Sequence, residues 1–189
     1  MKKILLGAAI LAASGLAHAQ EAVYVVEPTH TFVHFEVLHA GTSTNRGRFD
    51  TVEGEIALDP KAKTGKANIV VHPTSVNTGI QSYNDHLLNA DFLNASVHPT
   101  ATFVGDEFVF EEGKVKSVTG VLTLLGKTQP VTLNALRFNC YDNPRAKAQA
   151  CGGDFETTLK RSDFGMNFGL PGIPDAVRIL IQIEALKKQ

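Results

Sequence analysis

Tryptophan is absent from this chain, cysteine occurs only twice, and no basic run is longer than a pair or triplet. Without a basic block there is no electrostatic footprint for a nucleic-acid partner, and no polybasic patch for an anionic membrane. No Gly-x-Ser-x-Gly elbow occurs, which removes the common serine-hydrolase signature. Neither a phosphate-cradling glycine loop nor a dinucleotide fingerprint follows a strand-like stretch. No long apolar run is present either: Ile4 to Leu16 is too short to span a bilayer.

That short run has another meaning. Lys2 and Lys3 precede it, and Ala17-His18-Ala19 supplies small residues at the positions read by a signal peptidase. The pattern predicts a secretory leader over residues 1–19, cut near Ala19, with a single domain over 20–189 that is periplasmic or secreted. The whole chain carries a formal charge of −1, or −3 once Lys2 and Lys3 are set aside. In an oxidising compartment the two cysteines, Cys140 and Cys151, read as a structural disulfide. Their spacing does not suit a Cys-x-x-Cys redox pair, and no zinc-like cluster surrounds them.

What the chain does have is a rhythm of two. Val33, Phe35, Val37 and His39 share one face, as do Val52, Gly54, Ile56 and Leu58. Ala67, Ile69 and Val71 follow, then Ala101 with Phe103, Phe108 with Phe110, and Val118 through Leu124. Val131, Leu133 and Ala135 come next, and Val177, Ile179, Ile181, Ile183 and Ala185 close the series. Turn signals separate them at Asp59-Pro60, Glu112-Gly113 and Leu125-Gly126. Ser82 to Leu93 breaks the rhythm and is expected to hold a short helix around His86 to Asn89. The fold class is therefore all-β, about eight antiparallel strands with one short helix. Closing the sheet into a barrel removes its edges; a two-sheet sandwich is the competing architecture.

The polar residues suggest little chemistry. His30 and His34 stand four apart, but along a strand that is roughly 13 Å, too far for one metal ion. No metal and no cofactor is expected. Tyr83-Asn84-Asp85-His86 is the strongest polar cluster, yet sequence neighbours in extended chain point apart. The chain is accordingly expected not to be an enzyme, with a small enzyme built on Asp85 and His86 as the alternative.

The order of short motifs is more specific. Pro28-Thr29-His30-Thr31-Phe32-Val33-His34-Phe35 opens the set, followed by Gly47-Arg48-Phe49, Val52-Glu53-Gly54-Glu55-Ile56 and Ser75-Val76-Asn77-Thr78-Gly79. Asp85-His86-Leu87, Asp91-Phe92-Leu93-Asn94 and His98-Pro99-Thr100-Ala101-Thr102-Phe103 come next. Val118 to Val131 and Arg161-Ser162-Asp163-Phe164-Gly165-Met166 complete it. Together these resemble the YceI-like family over nearly all of the chain beyond the leader. The resemblance implies an exported, lipocalin-like barrel with a long apolar pocket for a polyisoprenoid lipid, such as an isoprenoid quinone or its precursor. The family commonly has an arginine before Asp-His-Leu; here Tyr83 and Asn84 stand there.

Strand parity then places Phe35, His39, Ile56, Ile69, Phe103, Leu122, Leu124, Ile179 and Ile181 along the pocket. Leu87, Phe92, Phe164 and Met166 are expected to cover it from irregular segments, and His39 and Asp85 to meet the head group. Gly54 and Gly120 are expected to leave room on the inner face. The expected partner is the lipid; a homodimer is left open, and neither nucleic acid nor stable membrane insertion is expected.

Overall fold

The computed structural model describes residues 21–189, so the leader and its cleavage point lie outside the described residues. The strands are β1 (Ala22–Val26), β2 (Phe32–His39), β3 (Ser43–Phe49), β4 (Val52–Asp59) and β5 (Thr64–Val71). A two-residue β6 (Val76–Asn77) precedes α1 (Gln81–Leu88). Then come β7 (Ala101–Glu111), β8 (Lys114–Leu124), β9 (Lys127–Asn143), β10 (Ala148–Lys160) and β11 (Ala176–Lys187). Short 3-10 turns lie at Pro73–Ser75 and Arg161–Phe164.

Eight of these strands form a closed antiparallel ring, β1-β4-β5-β7-β8-β9-β10-β11, with β11 returning to β1. The barrel, not the sandwich, is the architecture. Strands β2, β3 and β6 extend the wall from the other half of β11. The C-terminal half of β11 pairs with β1, through Val25↔Leu186, and its N-terminal half pairs with β2, through Ile179↔Phe35. Between β1 and β2 the fully buried Thr31 stands in for a backbone partner. Its Oγ1 donates to the Glu184 carbonyl and accepts from the Glu184 amide, both at 3.1 Å. The Glu184 amide thereby gains a partner at the strand break, while its carbonyl also accepts from the Glu27 amide at 2.8 Å.

The structure departs from the sequence expectation in several places. The helix begins earlier, at Gln81, and ends at Leu88. The 101–103 and 108–110 runs are one strand, because a register shift between Gly105 and Glu107 moves the inward face from odd to even positions. Alternation does not predict strand β10. Its Gly152-Gly153-Asp154 stretch interrupts the rhythm, although Cys151, Phe155 and Leu159 keep inward parity. A second shift, at Asp154/Phe155, leaves Leu136 on the outside and returns Phe138 to the inside.

Gly54 and Gly120 do not make room in the pocket. Gly54 has φ +145°, and a Cβ there would strike the Asn68 carbonyl oxygen of the next strand. Gly120 meets the Val104 carbonyl and Gly105 in the same way. Both permit the neighbouring strand's backbone to approach closely.

Cys140 and Cys151 are paired directly across β9 and β10, with Cα atoms 4.1 Å apart, and are disulfide-bonded. The core has two parts. A lower cluster includes Tyr24, Leu58, Val115, Val118 and Phe155, and an upper one centres on Phe35, Val76 and Leu93.

Candidate functional site

The inward faces do not fill the barrel. They enclose a cavity of about 670 Å³ that runs from Tyr24, Val115 and Cys151 at one end to Tyr83, His86 and Phe168 at the other. Its size is within the range of small-molecule sites, about 300–1,000 Å³. The lining is mostly Val, Ile, Leu and Phe, so the walls offer chiefly dispersion, with Thr157 and Tyr24 the polar side chains on the barrel strands below the mouth. At the lower end Tyr24 donates its hydroxyl to Gln149 Oε1 at 2.7 Å, and burial raises its pKa, which keeps it a neutral donor.

The opening lies at the upper end. His39, His86 and Phe168 both line the cavity and are exposed, whereas Tyr24 and Val115 are buried. Here the strands give way to α1, the 89–100 loop and the 165–175 loop. Helix α1 has no buried residue of its own; Leu87 and Leu88 pack against the upper cluster. Its start is tied by Asn84 Oδ1, which accepts from the Thr78 amide at 2.8 Å and the Thr78 hydroxyl at 2.7 Å. The His86 ring lies 4.8 Å from that of Phe92, and the Phe92 and Phe168 rings are 5.5 Å apart, edge to face. Asn45 Nδ2 donates to the Tyr83 hydroxyl at 3.3 Å. The polar groups of the mouth are thus Asn45, Tyr83, His39 and His86.

Arg161 holds the 165–175 loop in place. It is 4 % exposed, and its guanidinium donates to four carbonyls: Pro174 and Ile173 at 3.0 Å, Met166 and Phe168 at 2.8 Å. The fork of donors matches carbonyls on both limbs of the loop, which a lysine cannot do. Asp175 closes the base of the loop, accepting from the Ser162 hydroxyl at 2.7 Å and the Ser162 amide at 2.8 Å. Those hydrogen bonds hold its carboxyl below the usual aspartate pKa.

Of the residues named from sequence, Phe35, His39, Ile56, Ile69, Leu87, Phe92, Phe103, Leu122, Leu124, Phe164, Met166, Ile179 and Ile181 all border the cavity. Asp85 does not. It is exposed on the outer side of the helix and accepts from Gln81 Nε2 at 2.9 Å, with no hydrogen bond to His86. The nearest side-chain partner of His86 is Asn89 instead. His30 pairs with Glu27, His34 with Gln182 and His72 with Glu53, each on a different stretch of wall. Sequence parity misses Phe138 and Phe155, which a search of residues 137–160 for alternation around the glycine pair would find. Phe168 sits in an irregular Gly- and Pro-rich loop that carries no periodic signal. Arg161 opens a motif whose sequence alone assigns it no role.

Comparison with known proteins agrees with this geometry. A family model described as a YceI-like domain matches residues 24–185. A UPF0312 protein of Pectobacterium atrosepticum is 35 % identical over 193 residues, covering 100 % of both chains. The crystal structure of BcnA from Burkholderia cenocepacia superposes with a TM-score of 0.70 at 26 % identity, covering 85 % of this chain and 99 % of that one. A polyisoprenoid-binding domain from Saccharophagus degradans, implicated in plant cell wall breakdown, shares the fold with a TM-score of 0.63 at 18 % identity, over 87 % and 98 % of the two chains. The closed eight-stranded ring, its apolar interior and the family match over nearly all described residues together make this chain a member of the YceI-like family.

Proposed function

We propose that this protein is a periplasmic carrier or reservoir for an amphiphilic polyisoprenoid lipid, such as an isoprenoid quinone or its precursor, held without chemical turnover. The observation that carries the proposal is the barrel-long apolar cavity with Asn45, Tyr83, His39 and His86 at its open end. A cavity lined along the barrel's length suits one long chain, and the mouth offers a few donors and acceptors for a polar head. The polyisoprenoid-binding character of the Saccharophagus degradans domain supports the same ligand class.

The energetics are compatible with such cargo. Each buried five-carbon unit contributes about 3–4 kcal/mol gross, at roughly 0.8 kcal/mol per carbon group. Five or six units therefore reach the practical ceiling of about 18–21 kcal/mol, and ordering and desolvation costs must offset part of the gain. Affinity should depend on chain length more than on any single wall residue.

Native mass spectrometry of protein prepared without detergent, paired with organic extraction, tests the proposal. A retained mass matching a polyprenyl amphiphile is expected. An empty protein that also takes up no added polyprenyl alcohol would overturn it.

A further inference from the structure

The two ends of the barrel differ in what they show to solvent. At the closed end the turns expose Lys61, Lys63, Glu112, Lys114, Arg145 and Lys147, and the exposed apolar side chains nearby, Val109 and Tyr141, lie on the adjoining strands rather than on the turns. At the mouth end, exposed apolar side chains come from separate segments: Ile80 (60 % exposed) before α1, Val97 (64 %) in the 89–100 loop and Phe168 (51 %) in the 165–175 loop. Leu38 (43 %) joins them where β2 nears its tip. Scattered exposed apolar residues are ordinary. Here they lie on the segments that frame the opening into an apolar cavity, and Phe168 also lines it.

We infer that the mouth end docks on the surface of an electrically neutral lipid bilayer, with Ile80, Val97 and Phe168 dipping into it, so that cargo passes between bilayer and barrel without crossing water. The inference rests on the lipid-carrier proposal for its purpose. A long polyprenyl chain is insoluble, so its source and its destination are both bilayers. Entry through the mouth then requires contact between this end and the lipid surface. The charge pattern selects the surface: the exposed charged residues around the mouth include Asp85, Asp91 and Asp163 against Lys127 and Lys160, which gives no net positive patch to attract anionic lipid. No helix among the described residues is long and apolar enough to cross a membrane, which fits shallow contact and release.

Flotation of the full domain with phosphatidylcholine vesicles tests this, beside the Ile80→Asp/Val97→Asp double variant. Neither residue borders the cavity, and both are largely exposed. The wild type should float, and the double variant should lose about tenfold of its bound fraction, because each aspartate must leave water to insert. Pick-up of geranylgeraniol from vesicles should slow by a similar factor, while uptake of the same alcohol from dilute aqueous solution stays unchanged. An Ile80→Trp variant gives a second readout, since the chain has no other tryptophan: its indole emission should shift to the blue on adding vesicles. A wild type that does not float, or an Ile80→Trp emission that vesicles leave unmoved, overturns docking. So does flotation that appears only with phosphatidylglycerol, or a concentration-dependent dimer that the double variant dissolves while vesicles bind neither form. If geranylgeraniol is taken up from neither source while flotation holds, the carrier proposal fails and the docking surface stands.

Discussion

Gly120 lies opposite Gly105 on the β7–β8 ladder, so close that a Cβ on Gly120 would sit 2.5 Å from the Gly105 Cα and nearer still to the Val104 carbonyl oxygen. Backbone atoms on a paired strand cannot yield as a side chain can. Gly120→Ala should therefore destabilise the barrel by about 2–4 kcal/mol. Chemical denaturation measures this, and a midpoint equal to that of the wild type would show the approach to be looser than the structure has it.

Cys140 and Cys151 staple the β9–β10 hairpin, whose tip lies at the closed end. Replacing both with alanine should cost about 3 kcal/mol by loss of the cross-link in the unfolded chain. Urea unfolding under oxidising and reducing conditions separates the cases. Reduction should lower the midpoint of the wild type and leave that of the double variant where it is.

Arg161 supplies donors to four carbonyls of the mouth loop, and Arg161→Ala leaves them short of partners away from water. The expected cost is about 2–4 kcal/mol, with Arg161→Lys recovering only part of it. Hydrogen exchange should accelerate across residues 165–175 more than in β7 or β8. Bound lipid should also dissociate faster. Equal protection in the loop and the barrel wall would contradict the assignment.

Asp175 gives the mouth a pH dependence of known sign. Its folded pKa is lowered by hydrogen bonds from Ser162, so its stabilising contribution is full above the ordinary aspartate value of about 3.9. That contribution is lost as the pH falls through the lowered folded value. Loop protection measured by hydrogen exchange should drop in that acid range for the wild type. In Ser162→Ala, which removes the hydroxyl donor, the drop should begin at higher pH.

Leu122 borders the cavity and is only partly buried, so it can be enlarged into the empty volume. Leu122→Trp should occupy space that cargo needs and reduce lipid occupancy several-fold, with little loss of stability because the void is there to take it. Its indole emission should report added polyprenyl alcohol directly. Undiminished occupancy would place the chain elsewhere in the barrel.

Alternation of side chains is a local property, and it makes much of the molecule legible. Phe35 and Ile179 share the inside because each lies on a strand with one wet face, and they prove to be register partners on β2 and β11. The Glu112-Gly113 and Leu125-Gly126 pairs mark hairpins because both residues of each adopt positive φ. Asp85 shows the limit: on a helix the outward or inward choice follows a different period, and the break in strand rhythm locates that helix several residues too late.

By itself, the sequence determined that this is a one-faced, antiparallel β protein with an apolar inner surface, since a period of two needs only near neighbours. Tertiary structure alone decided the rest. Closure depends on β11 meeting β1 across more than 150 residues of chain, and no local pattern encodes that pairing. The bulges near Asp106 and Leu136 switch parity within single strands, which brings Phe108 and Phe138 inside. The mouth is built from a short helix and two irregular loops that share no strand period, so Tyr83, His86, Phe92 and Phe168 come to one end only when the barrel brings those segments together.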